Sequence, residues 1–518
     1  MRGVMGSESV LVVGAGPTGL AVAIAVASAG VAVRVVDMAD GPAVTSRALG
    51  LQPRGVEVLD RLGGLGDLRS RCVSIQEVVV HIGGRELGRL AVGTPTRLVR
   101  HPGLLVSQAE IEGELRRRLT ELGVEVEWGR AVVASTQTAD AVHVRLADGE
   151  VVDACWVVGC DGAHSVVRKS AGIGFPGVRL VEQFLLADVR AELPVDRGSV
   201  AVWIDGADMV AAFPLPGRDV WRLMAPAPDG APPVADAPDD VVARLGELLT
   251  LRSGIPKDVV RDSFWTSQFR FHRRLAVSYR SGRVLLAGDA AHIHSPFGGQ
   301  GLNTGVGDAE NLGWKLALVC TGRASAQLLD TYEAERRPIA QEVLASTTGF
   351  TRLVMGRSLL ARLVRDHVLV PLMNRRTVQR LIWDRASQLL ISYRKGPLGR
   401  SGSVRGPLPG DRVPDMTCLV DDGERARLHD QLGPRWAVVA ADPALRASCA
   451  KTAARWLGPD GVVPLAPASP ARRGAALVRP DGHLAWRGTD PVGAARWLTR
   501  ALGPLPQSRA GTARGAVG

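Results

Sequence analysis

Three short stretches carry residues whose types and spacing could do chemistry. The first is Gly14-x-Gly16-x-x-Gly19, with Asp37 following 18 positions after the last glycine. In this pattern Gly14 permits a tight turn, Gly16 lets backbone N–H groups approach a pyrophosphate, and Gly19 lets helix and strand pack closely. Pro17 and Thr18 complete the turn, the helix after it supplies partial positive charge, and Asp37 can accept hydrogen bonds from a ribose diol. The second stretch, WVVGCDGAHSVVRK (Trp156 to Lys169), ends a strand on Asp161-Gly162 and enters a helix with Ser165 and Arg168. The third, RVLLAGDAAHIHSP (Arg283 to Pro296), ends another strand on Gly288-Asp289.

These residues need elements to position them. Val10 to Val13 reads as a buried strand, Gly14 to Gly19 as a turn, Leu20 to Ala29 as a small-residue helix stopped by Gly30, and Val31 to Val36 as a second buried strand. That is the βαβ order of a dinucleotide site. The same run has no charge before Arg34, is long enough to span a bilayer, and places Ala27-Ser28-Ala29 where a signal peptidase could cut. Four strand-like residues followed by a Gly-Pro cluster are incompatible with a single spanning helix. An alanine-rich core hairpin is the plainer alternative.

With 518 residues the chain suits about three domains, and 46% hydrophobic residues is ordinary for a packed protein. No other apolar run reaches membrane length without charge or proline, so a soluble, cytoplasmic protein with no membrane partner is expected. Six cysteines (Cys72, Cys155, Cys160, Cys320, Cys418, Cys449) form no C-x-x-C pair and no metal-ligand spacing, which argues against a disulfide framework. A net charge of +11 invites nucleic acid, but the excess is scattered arginine, with only Lys169, Lys257, Lys315, Lys395 and Lys451 as lysines. Arg116-Arg117-Arg118 reads as the solvated face of a helix that buries Ile111, Leu115, Leu119 and Leu122, and 4% aromatics leave few stacking platforms. No nucleic-acid partner is expected.

Along the chain, Ser46 to Gly63 reads as a loop into a helix carrying Arg47 and Arg54, and Ile75 to Ile82 alternates like a strand. Val124 to Trp128, Val142 to Leu146 and Ala154 to Gly159 read as a meander returning to the first sheet. From about Val178 to Arg280 antiparallel strands with proline-rich connections predict a second domain whose sheet could wall a pocket, with Trp203, Phe213 and Trp221 as candidate lining. Leu302, Val306, Ala309, Leu312, Leu316 and Val319 recur at helical spacing, so a helix starts near Gly301. Helices run to about Tyr393, and a Gly- and Pro-rich linker, Gly396 to Pro414, precedes a small α/β unit. That unit is expected to hold a strand Trp436 to Ala440, a helix through Trp456, a hairpin turned by Pro480-Asp481-Gly482, and a last helix.

Other readings of the same letters fare worse. Gly299 to Gly305 could pass for a second dinucleotide loop, but it stands too far from its strand. His292 and His294 could be two metal ligands, yet no third has suitable spacing, so no metal is assigned. Asp161, His164 and Ser165 hold the letters of a hydrolytic triad without a G-x-S-x-G elbow. Tyr332 to Ala340 reads as a helix with ion pairs.

In order and spacing, the three motifs resemble the class A flavoprotein aromatic hydroxylases, built on the p-hydroxybenzoate hydroxylase fold, over about residues 9 to 345. The resemblance implies an α/β chain: a discontinuous Rossmann-like FAD domain (1–177 and 281–395), an inserted antiparallel-sheet substrate domain (178–280), and a C-terminal thioredoxin-like domain (405–505) without redox cysteines; the last dozen residues (506–518) read from their sequence as a disordered tail. It implies that Asp289 holds the ribityl chain of FAD, that Asp161-Gly162 lies near the pyrophosphate and the nicotinamide approach, and that Arg47 and Gln108 contact FAD. Pro296 to Asn303 matches the loop that curls under the flavin. Backbone amides of Gly301, Leu302 and Asn303 at a helix start can stabilise the negative charge of reduced flavin, Gly299 and Gly301 leave room for the ring, and Pro296 gives a rigid wall.

The reaction implied is a cycle in which NADPH or NADH, bound transiently, reduces FAD, O2 adds at the flavin C4a position, and the hydroperoxide passes its distal oxygen to an aromatic carbon. SYRKGPLGRSG, GPLPGDRVPD and ALVRPDGHLAWRG resemble the tail of actinobacterial polyketide hydroxylases acting on polycyclic aromatics in antibiotic or pigment biosynthesis. Cys449, alone in a helix, fits the loss of thiol chemistry. Gly307 departs from that family, where a larger polar residue is common, which bears on local packing. The runner-up is a monooxygenase of the same fold that performs Baeyer-Villiger insertion or inactivates an antibiotic. A halogenase is disfavoured by the absence of W-x-W-x-I-P, and a colourless nucleotide-binding protein is the non-enzyme alternative. No catalytic acid or base is assigned, and a monomer or homodimer is expected.

Overall fold

A computed structural model describes residues 9–44, 49–82, 85–92, 100–205, 208–227, 237–294, 299–354, 375–400, 402, 406–420, 423–469 and 473–505, together with 363, 368 and 372. The fold is mixed α/β and divides into two compact units, Met1–Gly313 with Tyr332–Ser392, and Trp314–Thr331 with Tyr393–Gly518.

The first unit is built on a six-stranded sheet in the order Arg280–Ser281, Val284–Leu286, Trp156–Gly159, Val10–Val13, Val33–Val36, Val126–Glu127. All pairs are parallel except the first. Val10–Val13, Trp156–Gly159 and Val284–Leu286 are wholly buried, as unbroken apolar runs in a covered parallel sheet should be. Their register aligns Val13 with Gly159 and Gly159 with Leu286, so the three sequence motifs leave one carboxyl edge together. Helix Pro17–Ala27 has Pro17 in its first turn and buries residues on nearly every face, which is why Gly19 to Ala27 are all Gly, Ala, Val, Leu or Ile. Against it packs helix Gln108–Glu121, capped by Ser107, whose hydroxyl accepts from Glu110 N–H at 3.3 Å. Such a cap contributes about 1 kcal/mol. Its arginines are ion-paired, Arg116 with buried Glu112, Arg117 with buried Glu114 and Arg118 with exposed Glu121, and of the run expected to be a solvated face Arg117 alone is exposed.

Two expectations need correction. Of the expected meander, Val126–Glu127 and Trp156–Gly159 join the parallel sheet, whereas Val142–Leu146 belongs to a separate three-stranded sheet with Val132–Gln137 and Val151–Ala154. The second large sheet is neither purely antiparallel nor confined to 178–280. Its order is His292–Ile293, Val260–Leu275, Gly177–Ala191, Val220–Pro226, Asp208–Pro214, Ser199–Asp205, Glu77–Ile82, Arg85–Ala91. Ser199–Asp205 pairs parallel to Glu77–Ile82, a long-range pairing for which no local turn signal exists in the sequence.

In the second unit a six-stranded sheet runs Arg425–Arg427, Thr417–Leu419, Val462–Pro467, Trp436–Ala440, Ala475–Val478, Leu484–Gly488, with helices Pro443–Leu457 and Pro491–Leu502. Trp436, Trp456 and Trp497 form its core with Cys449. The segment read as a linker is bonded into this unit, Tyr393 N–H to Gly410 O at 2.7 Å and Gly410 N–H to Leu484 O at 2.7 Å. All six cysteines carry free thiols. No helix among the described residues is long and apolar enough to cross a membrane.

Candidate functional site

At the carboxyl edge of the parallel sheet the glycines of the first motif divide into two kinds. Gly14 turns with φ 105°, and a Cβ there would lie 2.4 Å from Cys160 O, on the second motif. A Cβ on Gly19 would lie 1.9 Å from Gly14 O. These two are glycine because protein is in the way. A Cβ on Gly16 would meet nothing, so no protein contact requires glycine there, at the start of the helix. Asp37 accepts from Ala15 N–H at 2.6 Å and Ala39 N–H at 2.8 Å, which fixes its carboxylate beside that turn.

Thr18 joins the first motif to the third. Its Oγ1 would stand 2.6 Å from a Cβ on Gly288 and 2.3 Å from one on Gly305 of helix Gln300–Cys320. Arg168 joins the second motif to the third, donating to Ala290 O at 2.9 Å and Ala163 O at 3.0 Å while lying 3.9 Å over the Phe175 ring. The Asp161 carboxylate is turned inward. It accepts from Val166 N–H at 2.7 Å, Val167 N–H at 3.1 Å and the Ser165 hydroxyl, capping helix Val166–Ser170. What this motif offers a ligand is therefore the backbone at Gly162, above which space is open.

Asp289 is exposed to solvent, yet the surrounding protein desolvates its carboxyl enough to raise it above the ordinary range, with His292 pulling the other way. A carboxylate on the floor of a concave site satisfies both facts. Its backbone is set by a residue that the sequence did not single out. Asp308 accepts from Gly288 N–H at 3.1 Å, lies 2.6 Å from His292 Nε2, and receives Arg336 Nε at 2.8 Å. Arg336 also donates to Thr304 O at 2.9 Å, and a Cβ on Gly307 would lie 2.9 Å from its terminal nitrogen. The unusual glycine at 307 thus accommodates this arginine. An available signal was Asp308 itself, a charge in a helical run whose neighbours Val306, Ala309 and Leu312 are apolar.

Asn303 Oδ1 accepts from Gln52 N–H at 2.8 Å, and its amide donates to Gly299 O at 2.7 Å, so its side chain shapes the loop from within. Gly301 rests against His294, and Leu302 is half-buried in the same first turn, where N–H groups lack intrahelical acceptors. Gln108 donates to Glu112 at 2.7 Å; burial, and more weakly the Asp37 charge, push the Glu112 carboxyl up. Helix Pro53–Arg61 is tied to helix Gln300–Cys320 by buried pairs from Glu310 to Arg54 at 2.7 Å and to Arg61 at 2.5 Å. Arg47 and Pro296 lie outside the described residues.

Strand alternation corrects the pocket candidates. Trp203 and Trp221 face helix Pro238–Ser253 and are buried in its core, whereas Phe213 lies on the opposite face with Met209, Met224 and Trp265. His292 and His294 stack at 5.8 Å, and His292 is engaged by Asp308, a structural role. Among the described residues no group of three metal-ligating side chains converges. A depression of about 550 Å³ at the end of helix Pro238–Ser253, lined by Leu251, Lys257 and Asp258, contains none of these site residues.

Similarity to known proteins gives the class that fits this parallel sheet, open fingerprint glycine and exposed Asp289: an FAD-dependent monooxygenase. The chain belongs to the FAD binding domain family, which matches residues 7–347, and residues 406–504 match the family described as aromatic-ring hydroxylase, C-terminal. It is 36% identical over 511 residues to 6-methylpretetramide 4-monooxygenase of Streptomyces rimosus, covering 92% of this chain and 90% of the relative. To rifampicin monooxygenase of Rhodococcus hoagii it is 33% identical over 502 residues, covering 93% of this chain and 95% of that one. The structure of OxyS anhydrotetracycline hydroxylase from Streptomyces rimosus superposes with a TM-score of 0.77 at 34% identity, covering 96% of this chain and 99% of that one.

Proposed function

We propose that this monooxygenase hydroxylates a polycyclic aromatic polyketide intermediate in antibiotic or pigment biosynthesis, in the cytoplasm and as a monomer or homodimer. The observation that carries the reading is the meeting of the three motifs on one carboxyl edge with Gly16 open and Asp289 exposed, in a chain similar over its length to enzymes named for tetracycline intermediates.

When bound, FAD supplies electron transfer from NADPH or NADH and oxygen delivery from its C4a position. The protein's part is to hold and orient it. On this reading the helix start after Gly16 faces the pyrophosphate, Asp37 the adenosine ribose and Asp289 the ribityl chain. Gly162 and Gln108 line the rest, the N–H groups of Gly301, Leu302 and Asn303 face the ring, and Arg47 and Pro296 are further FAD contacts implied by the family resemblance alone. On the same reading residues 1–177 with 281–395 surround FAD, 178–280 lies over the substrate with strands Glu77–Ile82 and Arg85–Ala91 added to its sheet, and 405–505 is a thioredoxin-like domain. Support for the last is the order Val462–Pro467, Trp436–Ala440, Ala475–Val478, Leu484–Gly488, with the first pair parallel and the others antiparallel.

A second reading, oxygenation that inactivates an antibiotic, is favoured by the similarity to rifampicin monooxygenase. Purified protein should be yellow and should oxidise NAD(P)H faster with a polycyclic phenol, giving a product one oxygen heavier and little hydrogen peroxide. Protein that cannot be reconstituted with FAD sinks both readings. Oxygen inserted next to a ketone, or turnover with finished antibiotics alone, favours the second.

A further inference from the structure

We propose that Gln388 is a positioning residue for the flavin-binding loop, holding Gln300 and with it the first turn of helix Gln300–Cys320. The inference rests on the assignment of that turn to the flavin.

Gln388 is, among the described residues, the one non-glycine in the left-handed region, with φ 60°. It follows helix Arg376–Ala386 and its C-cap Ser387, donating its N–H to Arg385 O at 3.2 Å. At this position, just past a helix end, glycine or asparagine is the usual choice, because a Cβ is costly in that conformation. A glutamine here keeps a conformational cost that glycine would remove. Its side chain accounts for the exception.

That side chain is buried, and its amide donates to Gln300 Oε1 and, at 3.4 Å, to Thr304 Oγ1. Gln300 answers by donating to Ala386 O at 3.2 Å, while Thr304 Oγ1 donates to Gln300 O at 2.8 Å. Together these two amide bonds lock the first residue of the helix to the turn at 386–388. The same turn holds a second helix start, since Ser387 O accepts from Arg54 N–H at 3.1 Å. The neighbouring Gln52 N–H is in turn held by Asn303 Oδ1. Local strain retained where it fixes a loop from two sides is a mark of a positioning element.

The test separates backbone from amide. Gln388→Gly eases the left-handed backbone and removes the amide; Gln300→Ala removes the partner and serves if the first variant does not fold. FAD release from diluted holoenzyme is read by flavin fluorescence, alongside the melting temperature of the apoprotein, which FAD affinity does not enter, and the share of NAD(P)H oxidation ending in hydrogen peroxide. We expect Gln388→Gly to melt at or above wild type, yet to hold FAD about three- to tenfold more weakly and to leak more peroxide. Gln300→Ala should match it, and the double variant should be no weaker than either single one. FAD retention within about twofold of wild type in Gln388→Gly, or additive losses in the double variant, overturns the proposal. So does a melting temperature that falls in parallel with FAD affinity. Wild-type protein that takes up no FAD overturns the flavin assignment itself, a distinguishable outcome.

Discussion

Arg336 Nε donates to Asp308 Oδ1 at 2.8 Å, with both side chains sealed from solvent. From this pair order spreads to the turn after strand Val284–Leu286. Asp308 holds Gly288 N–H and so fixes the turn from which Asp289 projects. Arg336 reaches Asp308 because position 307 has no side chain to obstruct it. The missing side chain and the buried guanidinium are two halves of one arrangement.

Removing one partner of such a pair leaves the other charge buried and unmatched, at a cost of about 3–5 kcal/mol. Arg336→Met should therefore lower the free energy of unfolding in urea by about 3 kcal/mol or more, and should purify with less FAD per chain. Burial alone would raise the Asp308 carboxyl, but His292 and Arg336 beside it outweigh that and hold it below the usual range. A depressed carboxyl stabilises the fold above its unfolded-state pKa and loses that contribution as pH falls through the lower folded-state value. Wild-type stability should thus decline steeply below about pH 4, and Asp308→Asn should be less stable at neutral pH with a shallower acid slope.

The contact between Thr18 and Gly305 predicts a compensating pair. Gly305→Ala places a Cβ 2.3 Å from Thr18 Oγ1 and should cost about 1–3 kcal/mol by overpacking. Adding Thr18→Ala removes that atom and should restore most of the melting temperature. Gly288→Ala should not be rescued in this way, since it also sits at φ 61° and meets Thr18 Cβ at 3.0 Å.

Local patterns made one half of this protein legible. The βαβ unit, the two motifs that end strands and the helix near Gly301 follow from glycine spacing, apolar runs and 3.6-residue periodicity, which neighbouring residues determine. What the sequence concealed depends on distance along the chain. The parallel pairing of Ser199–Asp205 with Glu77–Ile82 leaves no local mark. Likewise the burial of Trp203 and Trp221 under a helix depends on which sheet face is covered, and aromatic identity does not say. Asp308 and Arg336 lie 28 positions apart, and although Asp308 stands among apolar helix positions, nothing local names its partner. Only the fold shows that both point inward.

Cys449 offers a test of whether the C-terminal unit does thiol chemistry. It lies in the middle of helix Pro443–Leu457, is buried among Trp436, Trp456 and Trp497, and its thiol is pushed up by desolvation. A reactive thiolate needs the opposite surroundings, a helix N-terminus or a nearby cation. Cys449→Ala should keep full turnover while losing about 1 kcal/mol of stability, and native protein should resist alkylation at this position. Loss of turnover in a well-folded variant would argue for a thiol step.

Asp289 should trade stability for cofactor binding. Its carboxyl is raised, chiefly by desolvation, so the folded apoprotein holds the proton more tightly than the unfolded chain does. The sign is therefore opposite to that of Asp308: stability falls as pH rises from the unfolded-state pKa through the raised folded-state value, and the deficit persists at neutral pH. Asparagine has no charge to desolvate. Apoprotein carrying Asp289→Asn should accordingly melt higher than wild-type apoprotein at pH 7, with the difference vanishing as pH falls below about 4, where both chains are neutral at this position. With FAD the ranking should reverse. If Asp289 accepts hydrogen bonds from the ribityl chain, loss of the charge removes about 1.5–3 kcal/mol, which weakens FAD binding by roughly ten- to a hundredfold. Thermal melts at several pH values, with and without FAD, read both effects from one pair of proteins. Identical apoprotein melts across pH would remove the desolvation argument, and unchanged FAD affinity would remove Asp289 from the cofactor site.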